Sequence, residues 1–315
     1  MKQITLEEVA SLLKEHDKIK ILTHIYPDGD TLGCAYALAF ILRKLGKMAN
    51  VAVEGDLPAK FGYLAKNYVE QEFTPEYIIS VDVAAKTLLG KSVMEGVDHI
   101  DLCIDHHGSN SLEADNIYLD AEAAAAAECI YQLTEMLGIE PDEDIANGIY
   151  TGISTDTGCF CYTNTSPRTH HIAAQIMPYC DWREINYINF VVKTRGKLKL
   201  ERMIYENIQF CADGACAIIY TTLKTCEKLG VGDDEMEGLA SIPRQIEGVK
   251  MGVTMREKEG GVFKISVRTN DGIDASAFCK RFGGGGHPAA AGCSIEGDLK
   301  TVKQKLIEAA EETLR

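Results

Sequence analysis

Short apolar runs alternate with longer amphipathic stretches through the first half of the chain, and this alternation leaves few folds open. Residues 20–24, 50–53, 77–82, 100–104 and 116–119 read as strands, bounded by turn residues. Residues 5–16 read as a helix with Leu6, Val9, Leu12 and Leu13 on one face. Residues 31–45 form an alanine- and leucine-rich helix stopped by Gly46. Residues 121–137, with alanines at 123–127, predict a tightly packed interior helix, and 145–155 another. Such α/β alternation predicts a mostly parallel sheet with helices on both faces, placed here over residues 1–190.

Beyond Pro178 the pattern changes. A long helix over 196–210 is expected within a connector spanning 191–210. A smaller α/β domain over 211–315 then carries strands at 215–220, 249–255 and 262–268, a helix at 275–282, a glycine run and a final helix. Two domains suit 315 residues, and 46% hydrophobic residues are enough for two cores. The longest apolar run, 34–42, is too short to span a bilayer, and the first residues lack the apolar core of a signal peptide. Eleven cysteines, an odd number without a C-x-x-C pair, predict free thiols in a reducing cytoplasm rather than a disulfide framework. Cys159-x-Cys161 lacks a second pair for zinc.

Acids and histidines gather at the ends of the predicted elements. His24-x-x-x-Asp28-x-Asp30 follows the first strand, Asp82 ends the third, Asp105-His106-His107 ends the fourth, and Asp156 follows the helix at 145–155. Taken singly, each has a structural reading: Asp28 and Asp30 as turn residues, Asp82 and Asp156 as helix caps, His24 as a strand-end histidine. Strand ends of a parallel sheet share one edge, however, and ligands bind there. Carboxylates gathered at that edge repel by about 4 kcal/mol per close pair at an effective dielectric near 20. Two divalent cations neutralise four aspartates, and mixed carboxylate and imidazole donors suit manganese, iron or zinc.

These motifs, in this order over residues 20–160, resemble those of the DHH phosphoesterase superfamily. The resemblance implies two divalent metal ions, Mn2+ foremost, bridged by Asp82. His24 and Asp28 would join Asp82 on one ion, and Asp30, His106 and Asp156 on the other. His107 would stand unligated beside the scissile phosphate, with Asp105 orienting a ligand histidine. A water activated by both ions would be the nucleophile.

Arg281–Gly292, reading RFGGGGHPAAAG, is the second informative stretch. Clustered glycines let backbone N–H groups approach an anion, and His287 adds a directed donor. With Ser266-x-Arg268 it resembles the DHHA1 domain accompanying one branch of the superfamily. The resemblance implies that Arg268, Gly284, Gly285, Gly286 and His287 grip the substrate's phosphate or nucleotide end, the two domains closing over a cleft.

It further implies an oligoribonuclease of the nanoRNase type that also dephosphorylates 3′-phosphoadenosine 5′-phosphate. Expected substrates are short RNA or DNA oligonucleotides and 3′,5′-bisphosphonucleotides. The net charge of −15 fits oligonucleotides of about two to five residues and disfavours long nucleic acid, whose binding rests on neutralising many phosphates. No membrane partner is expected, and a homodimer is compatible with the pattern. The alternatives are hydrolysis of the linear dinucleotide pApA left by cyclic-di-AMP breakdown, and a non-catalytic nucleotide-binding module. Manganese inorganic pyrophosphatase shares the metal motifs, but the GGGGH run argues against it.

Overall fold

The computed structural model describes residues 2–236, 238–270 and 272–315, the side chains of Asp233, Asp234 and His287 excepted. The chain divides into two compact units, Met1–Val192 and Lys193–Arg315.

The first unit runs β1 (Lys2–Gln3), α1 (Leu6–Glu15), β2 (Ile19–Leu22), α2 (Gly29–Lys44), β3 (Ala49–Ala52), β4 (Tyr77–Val81), β5 (Leu102–Asp105), β6 (Asn116–Leu119), α3 (Ala126–Met136), α4 (Glu143–Asp156), α5 (Pro167–Ile176) and α6 (Trp182–Asn186). Its sheet has the order β1-β6-β5-β4-β2-β3, parallel throughout. The alternation of side chains along a strand splits the apolar residues between the two faces. Ile19, Ile21, Ile79, Val81, Leu102 and Ile104 meet α1 to α4 on one face. Leu22, Ile78, Cys103 and Ile117 meet Val83, Val93, Ile100 and Leu112 on the other. This second covering comes from the β4–β5 and β5–β6 connections, which hold a short 3-10 turn at Lys86–Leu88.

The chain runs outward from β2 to β3 on one side and from β4 to β5 on the other. The order therefore switches between β2 and β4, where open α/β sheets bind ligands. Glycines bring the covering helices close above that point. A Cβ on Gly33 of α2 would stand 2.3 Å from the carbonyl oxygen of Gly148 in α4, and one on Gly148 would stand 2.5 Å from that of Gly33. The two helices therefore meet backbone to backbone.

Two helix boundaries differ from the sequence expectation. The alanine-rich helix begins at Ala126 rather than 121, because the Asp30 carboxylate accepts from the N–H groups of Ala126 and Ala127 at 2.6 and 3.0 Å. A cap supplied from another helix leaves no local signature. The helix expected over 196–210 ends at Glu206, and Phe210 lies in a strand.

The second unit runs α7 (Arg195–Glu206), β7 (Gln209–Cys211), β8 (Cys216–Thr221), α8 (Leu223–Leu229), β9 (Met251–Lys258), β10 (Val262–Thr269), α9 (Ala275–Lys280), β11 (Gly285–His287), β12 (Ala290–Glu296) and α10 (Leu299–Thr313). The sheet order is β11-β12-β10-β9-β8-β7, with β8 and β9 parallel and the other pairs antiparallel. Helix α7, expected in a connector, packs Leu200 and Ile204 against Ile219 and Leu239 of this unit. The glycine run is ordered as an edge strand, Gly285 facing Gly292 and Gly286 facing Ala291.

Candidate metal centre

Adjacent strands β2, β4 and β5 end at one edge of the first sheet, and each delivers part of the site. His24 follows β2, and Asp82 follows β4. Asp105 closes β5, with His106 and His107 next to it. Asp28 caps α2, accepting from the N–H groups of Asp30 and Thr31 at 3.1 and 3.2 Å. Its structural role is that of a helix cap rather than a turn residue, and it still reaches the site. Asp156 is the last residue of α4, not a strand end. It arrives there because α4 lies so close to α2, where a Cβ on Gly152 would stand 2.5 Å from Asp30 Oδ1.

The expected donors form two groups. His24, Asp28 and Asp82 each offer one atom within 4.8 Å of the others, and so do Asp30, His106 and Asp156. His106 Nε2 lies 3.4 Å from Asp156 Oδ2, 3.5 Å from Asp82 Oδ1 and 3.8 Å from Asp30 Oδ2. His24 Nε2 lies 3.6 Å from Asp28 Oδ1 and 3.9 Å from Asp82 Oδ2. Asp82 therefore touches both groups, one oxygen toward each.

These separations are longer than hydrogen bonds. Asp82 Oδ1 accepts no hydrogen bond, although the residue is only 3% exposed. Leaving a carboxylate oxygen so costs several kcal/mol unless a cation meets it. Burial, then the charges of Asp30, Asp28 and Asp156, push the Asp82 carboxyl far above the usual range. Burial and Asp30 push Asp156 up to about 8. Burial opposes protonation of His106, but Asp30 and Asp156 hold its imidazole above the ordinary value. An orphaned buried oxygen amid mixed carboxylate and imidazole donors fits divalent metal ions.

Asp82 also has φ of +56°, a left-handed conformation that costs a non-glycine residue about 1–3 kcal/mol and concentrates at functional sites. Its N–H is held by Ile104 O at 2.9 Å. This turns the residue out of the strand.

The Asp105 side chain engages both histidines. Its Oδ1 accepts from His107 Nδ1 and from the backbone N–H of His106, each at 2.8 Å, while the His106 ring is oriented by Ala123 O, 3.1 Å from its Nδ1. The hydrogen bond to Asp105 raises the His107 pKa and leaves Nε2 as its free nitrogen. Asn110, read from sequence only as part of a turn, donates to Asp105 Oδ2 at 2.5 Å and to Val83 O at 3.0 Å. The loop carrying Ala123 is tied by Arg168, which reaches Asp120 at 2.9 Å and fully buried Glu128 at 2.6 Å. No sequence spacing links Arg168 to His106.

In the second unit, Arg268 of β10 faces Ala290 of β12, which faces His287 of β11. Arg268 and the glycine strand thus lie in one row across that sheet. The His287 side chain lies outside the described residues.

Residues 18–153 match the DHH family, N-terminal domain, and residues 216–315 match the DHHA1 domain. The bifunctional oligoribonuclease and PAP phosphatase NrnA of Thermus thermophilus is 30% identical over 97% of this chain and 93% of its own length. This chain belongs to the DHH family. The NrnA of Bacillus subtilis, described by the same activities, is 26% identical over 91% of the DHH chain and 92% of its own. A crystal structure of an exopolyphosphatase-related protein from Bacteroides fragilis superposes with a TM-score of 0.85 at 23% identity, covering 98% of this chain and 95% of the other. RecJ of Thermus thermophilus in complex with Mn2+ gives 0.56 at 17% identity, over 98% of this chain and 54% of RecJ. Both likenesses concern the fold. Asp156 lies outside the matched DHH stretch and joins the site through tertiary packing. Among the described residues no helix is long and apolar enough to cross a membrane.

Proposed function

We propose that this chain is a divalent-metal-dependent phosphoesterase. It hydrolyses short oligonucleotides to mononucleotides and removes the 3′-phosphate of 3′-phosphoadenosine 5′-phosphate. The observation carrying this reading is the pair of three-donor groups meeting at Asp82, whose buried Oδ1 accepts no hydrogen bond. The activities of the NrnA relatives support the choice of substrates.

His24, Asp28 and Asp82 would hold one ion, and Asp30, His106 and Asp156, with Asp82, the other. Such ions, manganese foremost, supply activation of water and neutralisation of charge on a phosphoryl group. The chain's own residues do the rest. Asp105 and Asn110 hold His107 in one tautomer, with Nδ1 donating to Asp105. Nε2 is then free to donate to a phosphoryl oxygen or to hold a proton for the leaving oxygen. In the DHHA1 unit, Arg268, with Gly284, Gly285 and Gly286, binds the phosphate end of the substrate, Arg268 through its forked guanidinium. His287 joins that group on the strength of its place in the glycine strand.

The test is hydrolysis by metal-stripped, repurified protein with and without manganese. The substrates are a graded series of short RNAs, a long strand, pApA, 3′-phosphoadenosine 5′-phosphate and pyrophosphate. Manganese-dependent turnover of the short RNAs and the bisphosphate is expected. Cleavage of the long strand or pyrophosphate alone reassigns the substrate class. Binding of manganese without any turnover leaves a nucleotide-binding module.

A further inference from the structure

The alanine run at 123–127 is buried throughout, and its backbone groups serve the metal centre. Ala123 O lies 3.1 Å from His106 Nδ1 and sets that ring. The N–H groups of Ala126 and Ala127 hold the two oxygens of Asp30 at 2.6 and 3.0 Å. Between these, Ala124 O accepts from Asn164 Nδ2 at 2.9 Å, and the same nitrogen donates to Asp156 O at 3.1 Å. Asp30, His106 and Asp156 are the three donors of one group. All three are therefore referred to one short stretch of backbone, Asp30 and His106 directly and Asp156 through Asn164.

The chain goes out of its way to put Asn164 there. Asp156 ends α4, where the last carbonyls lack partners inside the helix. Those of Ile153, Ser154 and Thr155 accept from the N–H groups of Thr157, Cys159 and Gly158 at 3.2, 2.7 and 3.1 Å. That of Asp156 accepts from Asn164. To bring this side chain back, the backbone turns left-handed over Gly158, Cys159 and Phe160, with φ of +55°, +55° and +63°. Residues other than glycine seldom adopt this conformation. Fully buried Thr157 holds the turn, its Oγ1 accepting from the N–H of Phe160 at 3.1 Å and its carbonyl from those of Cys161 and Tyr162, each at 2.9 Å. The Phe160 ring stacks on His170 with centroids 5.3 Å apart. The turn is fixed by its own bonds and packing, so Asn164 arrives at a set place.

We propose that Asn164 is a positioning residue for one ion only, the one assigned to Asp30, His106 and Asp156. This rests on the two-group reading of the metal centre under the proposed function. The Asn164 amide meets two carbonyl oxygens, so only its NH2 end can serve, and a side chain without N–H donors cannot replace it. Without it the end of α4 is untied from the alanine run, and Asp156 shifts relative to Asp30 and His106. The other group is held within its own loop, where Asp28 accepts from the N–H groups of Asp30 and Thr31 at 3.1 and 3.2 Å. Asn164 itself is exposed, so truncating it opens no cavity in the core.

The experiment is manganese titration of metal-stripped full-length protein by calorimetry, with melting in chelator as the check on folding. Wild type should bind two ions. Asn164→Ala should keep one affinity and weaken the other about tenfold or more, the scale set by groups that orient a ligand. Asn164→Asp should do the same although it has the size of asparagine, because it brings no N–H donor. Two backgrounds show which ion is affected. In His24→Ala, which retains the ion of Asp30, His106 and Asp156, adding Asn164→Ala should weaken the remaining ion. In Asp156→Asn, which retains the other ion, the same addition should change nothing. Turnover by Asn164→Ala should fall at limiting manganese and recover at high manganese. Equal weakening of both ions, or weakening of the ion left in Asp156→Asn, overturns the selective role. Failure of both Asn164 variants to fold overturns it too. Two ions bound at wild-type affinity by both variants leave the metal centre standing and remove Asn164 from it. A wild type that binds no manganese overturns the metal reading itself, and this inference with it.

Discussion

Asp82 carries the sharpest conflict in the molecule. It is a buried acid, held in a left-handed backbone conformation, with other carboxylates around it and one oxygen that accepts no hydrogen bond. Replacing it by Asn removes the charge at nearly constant volume. The metal-free Asp82→Asn protein should therefore melt at a higher temperature than metal-free wild type at pH 8, while losing metal binding and turnover. Calorimetry beside metal analysis checks both halves, and a variant that binds two ions normally would remove Asp82 from the centre. A different residue tests the histidine. Asn110→Ala removes the donor that holds Asp105 and should lower kcat about 10–100-fold with metal content unchanged, the usual scale for a group that orients another. A proportional rise in KM alone would contradict that role. In the other unit, Arg268→Ala should raise KM for phosphate-ended substrates and spare kcat. An unchanged KM across the substrate series would end the gripping role.

Among the elements, α2 and α4 decide whether Asp156 reaches the other donors. Their backbones touch at Gly33 and Gly148, and Gly152 lies against Asp30. Gly148→Val inserts a side chain where Ala37 Cβ already stands 2.9 Å from the position of a Cβ. Overpacking of this kind costs about 1–3 kcal/mol or more, and the helices must separate. The expected outcome is a lowered melting temperature together with weakened binding of the ion assigned to Asp30, His106 and Asp156. Loss of stability with metal affinity intact would show that α4 moves without carrying Asp156 away. The same pair of helices shows why the start of α3 was misplaced from sequence. Asp30 of α2 acts as its cap, and an acid far away in the chain leaves no signal in the alanine run it caps.

For the whole molecule, the charge of the site ties folding to metal and to pH. Asp156 titrates near 8 in the metal-free fold, above an unfolded carboxylate near 4, so between these values the folded chain holds a proton that the unfolded chain releases. The stability this contributes is present at low pH and is lost as pH rises toward 8. Raised His106 acts in the same direction. Divalent ions displace these protons and reverse the trend, because binding strengthens as the ligands deprotonate. In chelator, the DHH unit should melt higher at pH 5 than at pH 8. With manganese this difference should shrink or invert, and Asp156→Asn should flatten the profile in chelator. A pH-independent melting temperature in chelator would contradict the clustered geometry.

The β/α alternation, the glycine run and the placing of His24, Asp28, Asp30, Asp82, Asp105, His106 and His107 at the ends of elements were all legible in the sequence. Periodicity and turn chemistry are local, and a parallel sheet collects its strand ends at one edge whatever fills the space between them. Two things needed the tertiary structure. Asp156 enters through a glycine contact between helices. Asp105 takes the ring of His107, while Ala123 O takes that of His106. Each depends on which backbone surfaces can approach within a few ångströms, and that is set by packing between elements distant in the chain.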